Sequence, residues 1–168
     1  MSTQPGSTGE SEVIGVIGGQ LKGRFLRKPY TLVFTPDQTI LAKRTSALQK
    51  EAVATARSET KQRGGGWLSQ VRNQMGAHAQ FHERYYSMTL EEILAEHEKN
   101  QAIRNLDVRS VSLRDPRTVY DDDGTYTTYE ARLTIDTPRK KYTFDVDDTF
   151  SKKEVLGLLR EVYGHRVK

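Results

Sequence analysis

Apolar and polar positions fall into a β-patterned opening, a helical middle and a second β-patterned stretch closed by one helix. Residues 13–17 form a short apolar run before Gly18-Gly19, which predicts a first strand followed by a turn. Residues 29–35 and 39–43 are two β-rich runs flanking Pro36-Asp37-Gln38. Proline presets φ and aspartate bonds its own backbone, so this pair predicts a hairpin. Ser46, three residues before Gln49, is a capping-box candidate, and Ala-, Lys- and Glu-rich sequence follows to Gln62. Gly64-Gly65-Gly66 interrupts that helix, and a second helical stretch is predicted over 67–86. Thr89-Leu90-Glu91-Glu92 is another capping box, opening a short helix that ends near Asn100.

Leu106, Val108, Val111 and Leu113 then predict a strand ended by Asp115-Pro116, and 120–124 reads as a turn. Tyr129, Ala131, Leu133 and Ile135 alternate with polar residues, as do Tyr142, Phe144 and Val146 after a turn at 137–139. These two strands predict a hairpin with one buried face. Ser151 and Glu154 form a third capping box. Val155, Leu158, Leu159 and Val162 lie on one helix face, and Gly164 suits the stop. The order predicts an α+β domain, an antiparallel sheet with a terminal helix over its open end. Residues 1–11, rich in Ser, Thr, Gly, Gln and Pro, read as a disordered leader, and 12–168 as a single domain.

Composition narrows the chemistry. The 168 residues include no cysteine, which excludes disulfides, thiolate catalysis and cysteine-ligated zinc. Mean hydropathy is −0.70, and no apolar run approaches a membrane span. No signal peptide is visible, so the cytoplasm is the expected location. The net charge of +4 is uneven. Residues 1–88 carry 12 Lys/Arg against 6 Asp/Glu, and residues 89–168 carry 14 against 16. A basic half suits an anionic partner, although ordinary solubility charge gives the same pattern.

Residues 28–43, Lys-Pro-Tyr-Thr-Leu-Val-Phe-Thr-Pro-Asp-Gln-Thr-Ile-Leu-Ala-Lys, resemble the opening hairpin of bacterial and archaeal pleckstrin-homology-like (PH-like) and GRAM-like domains. Lys141-Tyr142-Thr143-Phe144, followed by the apolar face of 155–162, is similar to their last strand and capping helix. The resemblance covers 12–44 and 102–166. It implies a bent antiparallel β-barrel capped by a C-terminal helix, with 46–100 as a helical insertion. It also implies lipid binding, peptide binding or scaffolding rather than one set function.

Two constellations are candidates for binding. Lys22, Arg24, Arg27 and Lys28 surround Phe25 and Leu26 between the first two strands. Such cations hold phosphates through charge-assisted hydrogen bonds, and the apolar pair would enter a membrane surface. The plainer reading puts Phe25 and Leu26 in the core. Trp67, Leu68, Val71 and Met75 share one face after the glycine hinge. That stripe suits a partner, a second copy or a membrane, with packing on its own chain as the favoured reading.

Three further motifs mimic catalytic or metal sites. Asp145-Val146-Asp147-Asp148-Thr149 has the form of a phosphatase nucleophile motif, but only 19 residues follow it, too few for the βα repeat that chemistry needs. His78 and His82 share a helix face, without the glutamate spacing of a zinc protease, and read as a surface pair. Asp121-Asp122-Asp123-Gly124 lacks the alternating ligands of a calcium loop and reads as an acidic turn. The sequence therefore predicts a non-catalytic binding or adaptor module with no cofactor. Its partner is expected to be a protein surface or anionic membrane headgroups. Self-assembly through the insertion is one alternative. Weak nucleic-acid binding is the other, disfavoured because no base-stacking motif accompanies the charge.

Overall fold

The computed structural model describes residues 13–63 and 81–168, with backbone alone over 55–63. Strands β1 (Gly15–Lys22), β2 (Arg27–Phe34) and β3 (Gln38–Lys43) form an antiparallel meander. Helix α1 (Ser46–Arg63), a helical turn at 81–83, a 3-10 turn (Arg84–Ser87) and helix α2 (Leu90–Ala95) follow. The chain then forms β4 (Gln101–Arg104), β5 (Ser110–Arg114), β6 (Arg117–Tyr120), β7 (Tyr126–Tyr129), β8 (Arg132–Asp136) and β9 (Lys141–Val146). It closes with helix α3 (Lys152–Tyr163). Seven strands make one sheet in the order β4-β3-β2-β1-β9-β8-β5, and β6 with β7 makes a separate two-stranded ribbon. The fold is thus α+β with a C-terminal helix. The expected barrel closure is not present: β4 and β5 end the sheet as two edges that do not pair with each other.

Both faces of the β1–β3 meander are covered, which explains why β2 buries five consecutive residues, 30–34. Tyr30, Leu32 and Phe34 join a core with Leu133, Phe144, Val155 and Leu159, under α3. Val33, Ile40 and Ala42 point the other way, into a second core with Phe81, Tyr85 and Ile93. A strand buried on both faces reads as a continuous apolar run rather than an alternation. The described part of the 46–100 segment therefore supplies the cover of the second face. Trp67, Leu68, Val71 and Met75 lie outside the described residues, as does the 1–11 leader.

A buried polar cluster ties the far end of α3 to the sheet. The Tyr163 hydroxyl meets Thr39 Oγ1 at 2.5 Å, and Thr39 donates to Asn105 Oδ1 at 2.8 Å. Asn105 Nδ2 donates to the carbonyls of Thr35 and Pro36. Each buried donor is thereby matched, which avoids the cost of an unpaired polar group.

Several sequence expectations shift. Gly18-Gly19 lies inside β1 rather than ending it, because neighbours approach too closely for a side chain. A Cβ on Gly18 would stand 2.4 Å from Asp147 Oδ2 and 2.6 Å from His82 Nε2. The cap of α1 sits one residue earlier than expected, where Thr45 Oγ1 accepts the Leu48 N–H. The strand expected from Leu106 starts at Ser110, since 105–107 form a 3-10 turn that leaves Leu106 exposed. The strand expected from Tyr129 is broken at 130–131, between β7 and β8.

Candidate functional site

The β1–β2 hairpin carries the first candidate surface. Its last rungs pair Leu21 with Lys28 and Lys22 with Arg27, and the Gly23 N–H donates to the Leu26 carbonyl at 3.0 Å. A Cβ on Gly23 would come within 2.6 Å of that carbonyl oxygen, so the tight turn suits glycine. Every residue of 22–28 is exposed. Phe25 is 87% exposed and Leu26 72%, so neither is core. Large apolar side chains normally bury such area, at about 1.5–3 kcal/mol each.

The four cations around that pair are not equivalent. Arg27 reaches back to the buried Asp145 carboxylate at 3.3 Å. Lys22 stands opposite Arg27, and like charges across a strand pair repel. The Asp145 contact draws the Arg27 guanidinium away from that clash. Arg24 lies over the Phe25 ring, 5.6 Å from its centroid. Lys22, Arg24 and Lys28 therefore surround the apolar tip, while Arg27 anchors its base.

Asp145 and Asp147, the phosphatase-like carboxylates, are held by arginines. Asp145 is buried between Arg27 and Arg132, the latter at 3.4 Å. Asp147 pairs with the buried Arg44 at 3.0 Å, and Arg44 also donates to the Gly19 carbonyl at 3.2 Å. They line a cleft of about 360 Å³ with Gln20, Glu130 and Asp148. Among the described residues no group of three or more His, Asp or Glu is placed to hold a metal ion.

The surface-pair expectation for His78 and His82 is corrected for His82, and His78 lies outside the described residues. His82 is buried, and its Nδ1 lies 2.9 Å from Thr31 Oγ1. The absent side chain of Gly18 leaves the room it occupies. It borders an apolar cleft of about 450 Å³ between the start of β1 and α3, lined by Ile14, Ile17, Phe150 and Leu158.

The acidic turn holds its expected form. Asp123 Oδ1 accepts the Thr125 N–H at 2.9 Å and its hydroxyl at 2.6 Å, and Gly124 adopts φ 83°. These bonds, the Thr125 hydroxyl first, hold the Asp123 carboxyl below its usual range. The ribbon this turn joins was not legible as a unit, because all eight positions of β6 and β7 are exposed and no apolar alternation marks them. Among the described residues no helix is long and apolar enough to cross a membrane. Comparison with known proteins gave no match among family models, curated proteins or solved structures.

Proposed function

We propose that this chain is a PH-like, non-catalytic binding module that docks on anionic membrane headgroups through the tip of its first hairpin. The observation that carries the reading is the exposure of Phe25 and Leu26 at a tip ringed by Lys22, Arg24 and Lys28. Apolar side chains that enter the headgroup region gain burial there, and flanking cations gain about 1 kcal/mol each near an anionic surface. The cytoplasmic leaflet carries such charge, which agrees with the location expected from the sequence. The strand order supports the PH-like part of the proposal. A four-stranded meander, β1 to β4, adjoins β9, β8 and β5 along the β1–β9 rungs, and α3 follows the last strand. The non-catalytic part rests on Asp145 and Asp147, whose carboxylates are engaged by Arg27, Arg132 and Arg44.

Co-sedimentation of the full chain with phosphatidylcholine vesicles, with and without phosphatidylserine, tests the reading at low and physiological salt. Binding is expected only with phosphatidylserine and is expected to weaken with salt. Lys22→Glu with Arg24→Glu is expected to weaken it by about tenfold or more, at about 1 kcal/mol per cation before reversal. Phe25→Ser with Leu26→Ser is expected to weaken it while leaving the salt dependence. Equal binding to neutral vesicles, or binding that neither variant changes, would remove the proposal.

A further inference from the structure

The ribbon of β6 and β7 stands apart from the main sheet, and all eight of its positions are exposed. A two-stranded ribbon without a covering layer is marginally stable in water. Its backbone pairing fixes which groups face outwards. The Asp121 N–H donates to the Thr125 carbonyl at 2.8 Å, and the register continues through Tyr120↔Tyr126, Val119↔Thr127, Thr118↔Thr128 and Arg117↔Tyr129. In an antiparallel pair, alternate residues turn both N–H and C=O to the partner. Arg117, Val119 and Asp121 therefore face β7, while Thr118 and Tyr120 present their N–H and C=O on the outer edge of β6. Among the described residues no other strand pairs with that edge. Such an edge is a template for another strand.

The side chains of β6 are self-complementary about Val119. We infer that β6 pairs antiparallel with β6 of a second copy of this chain, joining two ribbons into one four-stranded sheet across a two-fold axis. Centred on Val119, this register sets Thr118 of each copy against Tyr120 of the other, so both outward-facing residues find their ladder bonds. Val119 meets its own equivalent. Arg117 stands across from Asp121 of the other copy, on the same face, and the symmetry makes that ion pair twice. Opposite charges across a strand pair stabilise it, and an isologous two-fold contact closes on itself rather than propagating. Pro116 has no N–H to donate, so the ladder ends at Arg117. The outer edge of β7 offers no such match. Its outward residues are Tyr126 and Thr128, and a two-fold about Thr127 sets Tyr126 against Thr128 and Thr125 against Tyr129, with no charge pair. Tyr120, 73% exposed, and Val119, 40% exposed, are the apolar surface the β6 contact would cover.

Sedimentation of the full chain, from about 10 μM to about 1 mM, is expected to show a reversible monomer–dimer equilibrium. Arg117→Asp is expected to weaken the dimer by about tenfold or more, because both ion pairs become like-charge contacts. Adding Asp121→Arg to that variant is expected to restore it. Amide exchange gives an independent signature. Protection of Thr118 and Tyr120 rises with concentration, while Val119, already bonded to β7, does not change. A chain that stays monomeric throughout overturns the inference. So does a dimer that Arg117→Asp leaves intact, or one that forms with Thr118 and Tyr120 still unprotected.

Discussion

Tyr163 shows how much one buried hydroxyl does here. Its ring packs edge-on to Phe34 at 6.2 Å between centroids, and its hydroxyl closes on Thr39. Burial pushes the phenol up to about 12 from an ordinary value of 10.0. A pKa raised in the folded state gives stability that is complete below the unfolded value and lost as pH rises through the folded one. The folded chain is therefore expected to lose roughly 2–3 kcal/mol between pH 10 and 12 through this residue. Tyr163→Phe is expected to cost about 1 kcal/mol at pH 7, from the lost hydrogen bond. It should also flatten the alkaline fall measured by urea unfolding at pH 8, 10 and 11.5, leaving the part due to Tyr85, Tyr30 and Tyr86, whose phenols burial also raises. An unchanged alkaline slope in the variant would place that loss elsewhere. Helical spacing sets Tyr163 on the face of Val155 and Leu159, but the sequence does not name the partner of its hydroxyl, which lies 124 residues away. Remote partners also hide Gly18, whose reason for being glycine is the nearby Asp147 carboxylate and His82 ring. The turn at 121–124 was legible as a turn because what holds it is local: Asp123 accepts from Thr125, two positions on.

Helix starts belong to that local class, and the cap of α3 carries a prediction of its own. Ser151 Oγ accepts the Glu154 N–H, and the Glu154 carboxylate accepts the Ser151 N–H and hydroxyl. Ser151→Ala is expected to cost about 1 kcal/mol at pH 7, the usual worth of an N-cap. The serine hydroxyl, then the backbone N–H, hold the Glu154 carboxyl below 4.5. A depressed carboxyl gives stability that is present above its unfolded value and lost as pH falls through the folded one. The penalty of Ser151→Ala should therefore shrink between pH 5 and pH 3, read by denaturant titration. A penalty equal at both would show that the carboxylate takes no part. The same logic explains which elements the sequence made plain. The β2–β3 hairpin, α1, α2 and α3 are set by a turn or cap within four residues. β4 is not: only Ile103 of its four residues is buried, so no alternation marks it. The exposed tip at 22–28 was legible as a charge cluster, but the exposure of Phe25 and Leu26 depends on what the rest of the chain leaves uncovered.

At the scale of the molecule, the two cores share one sheet and no residue. Leu159 belongs to the core under α3, and Ile93 to the core under α1 and the 81–95 segment. Both side chains are fully buried. Truncation to alanine should cost each about 2–4 kcal/mol, by lost burial and a residual cavity. Among the described residues the two cores meet through the backbone of β1, β2 and β3, whose residues point alternately to either side, and at one rim where the His82 ring packs on Phe150. Residues that share no partners contribute additively, within about 0.5 kcal/mol. Losing either face would nonetheless expose strands that the other face needs in register, because each of these strands is buried on both sides. Leu159→Ala and Ile93→Ala are therefore expected to lower one common urea transition, and the double variant to lower it by their sum. Fluorescence and far-ultraviolet circular dichroism should trace the same midpoint in all three proteins. If Ile93→Ala split the transition in two, the segment between β3 and β4 would be a separable layer. If it left the midpoint where it stood, that segment would be an ornament on a domain held by α3 alone. A single, additive shift would make it as much a part of the fold as the helix that ends the chain.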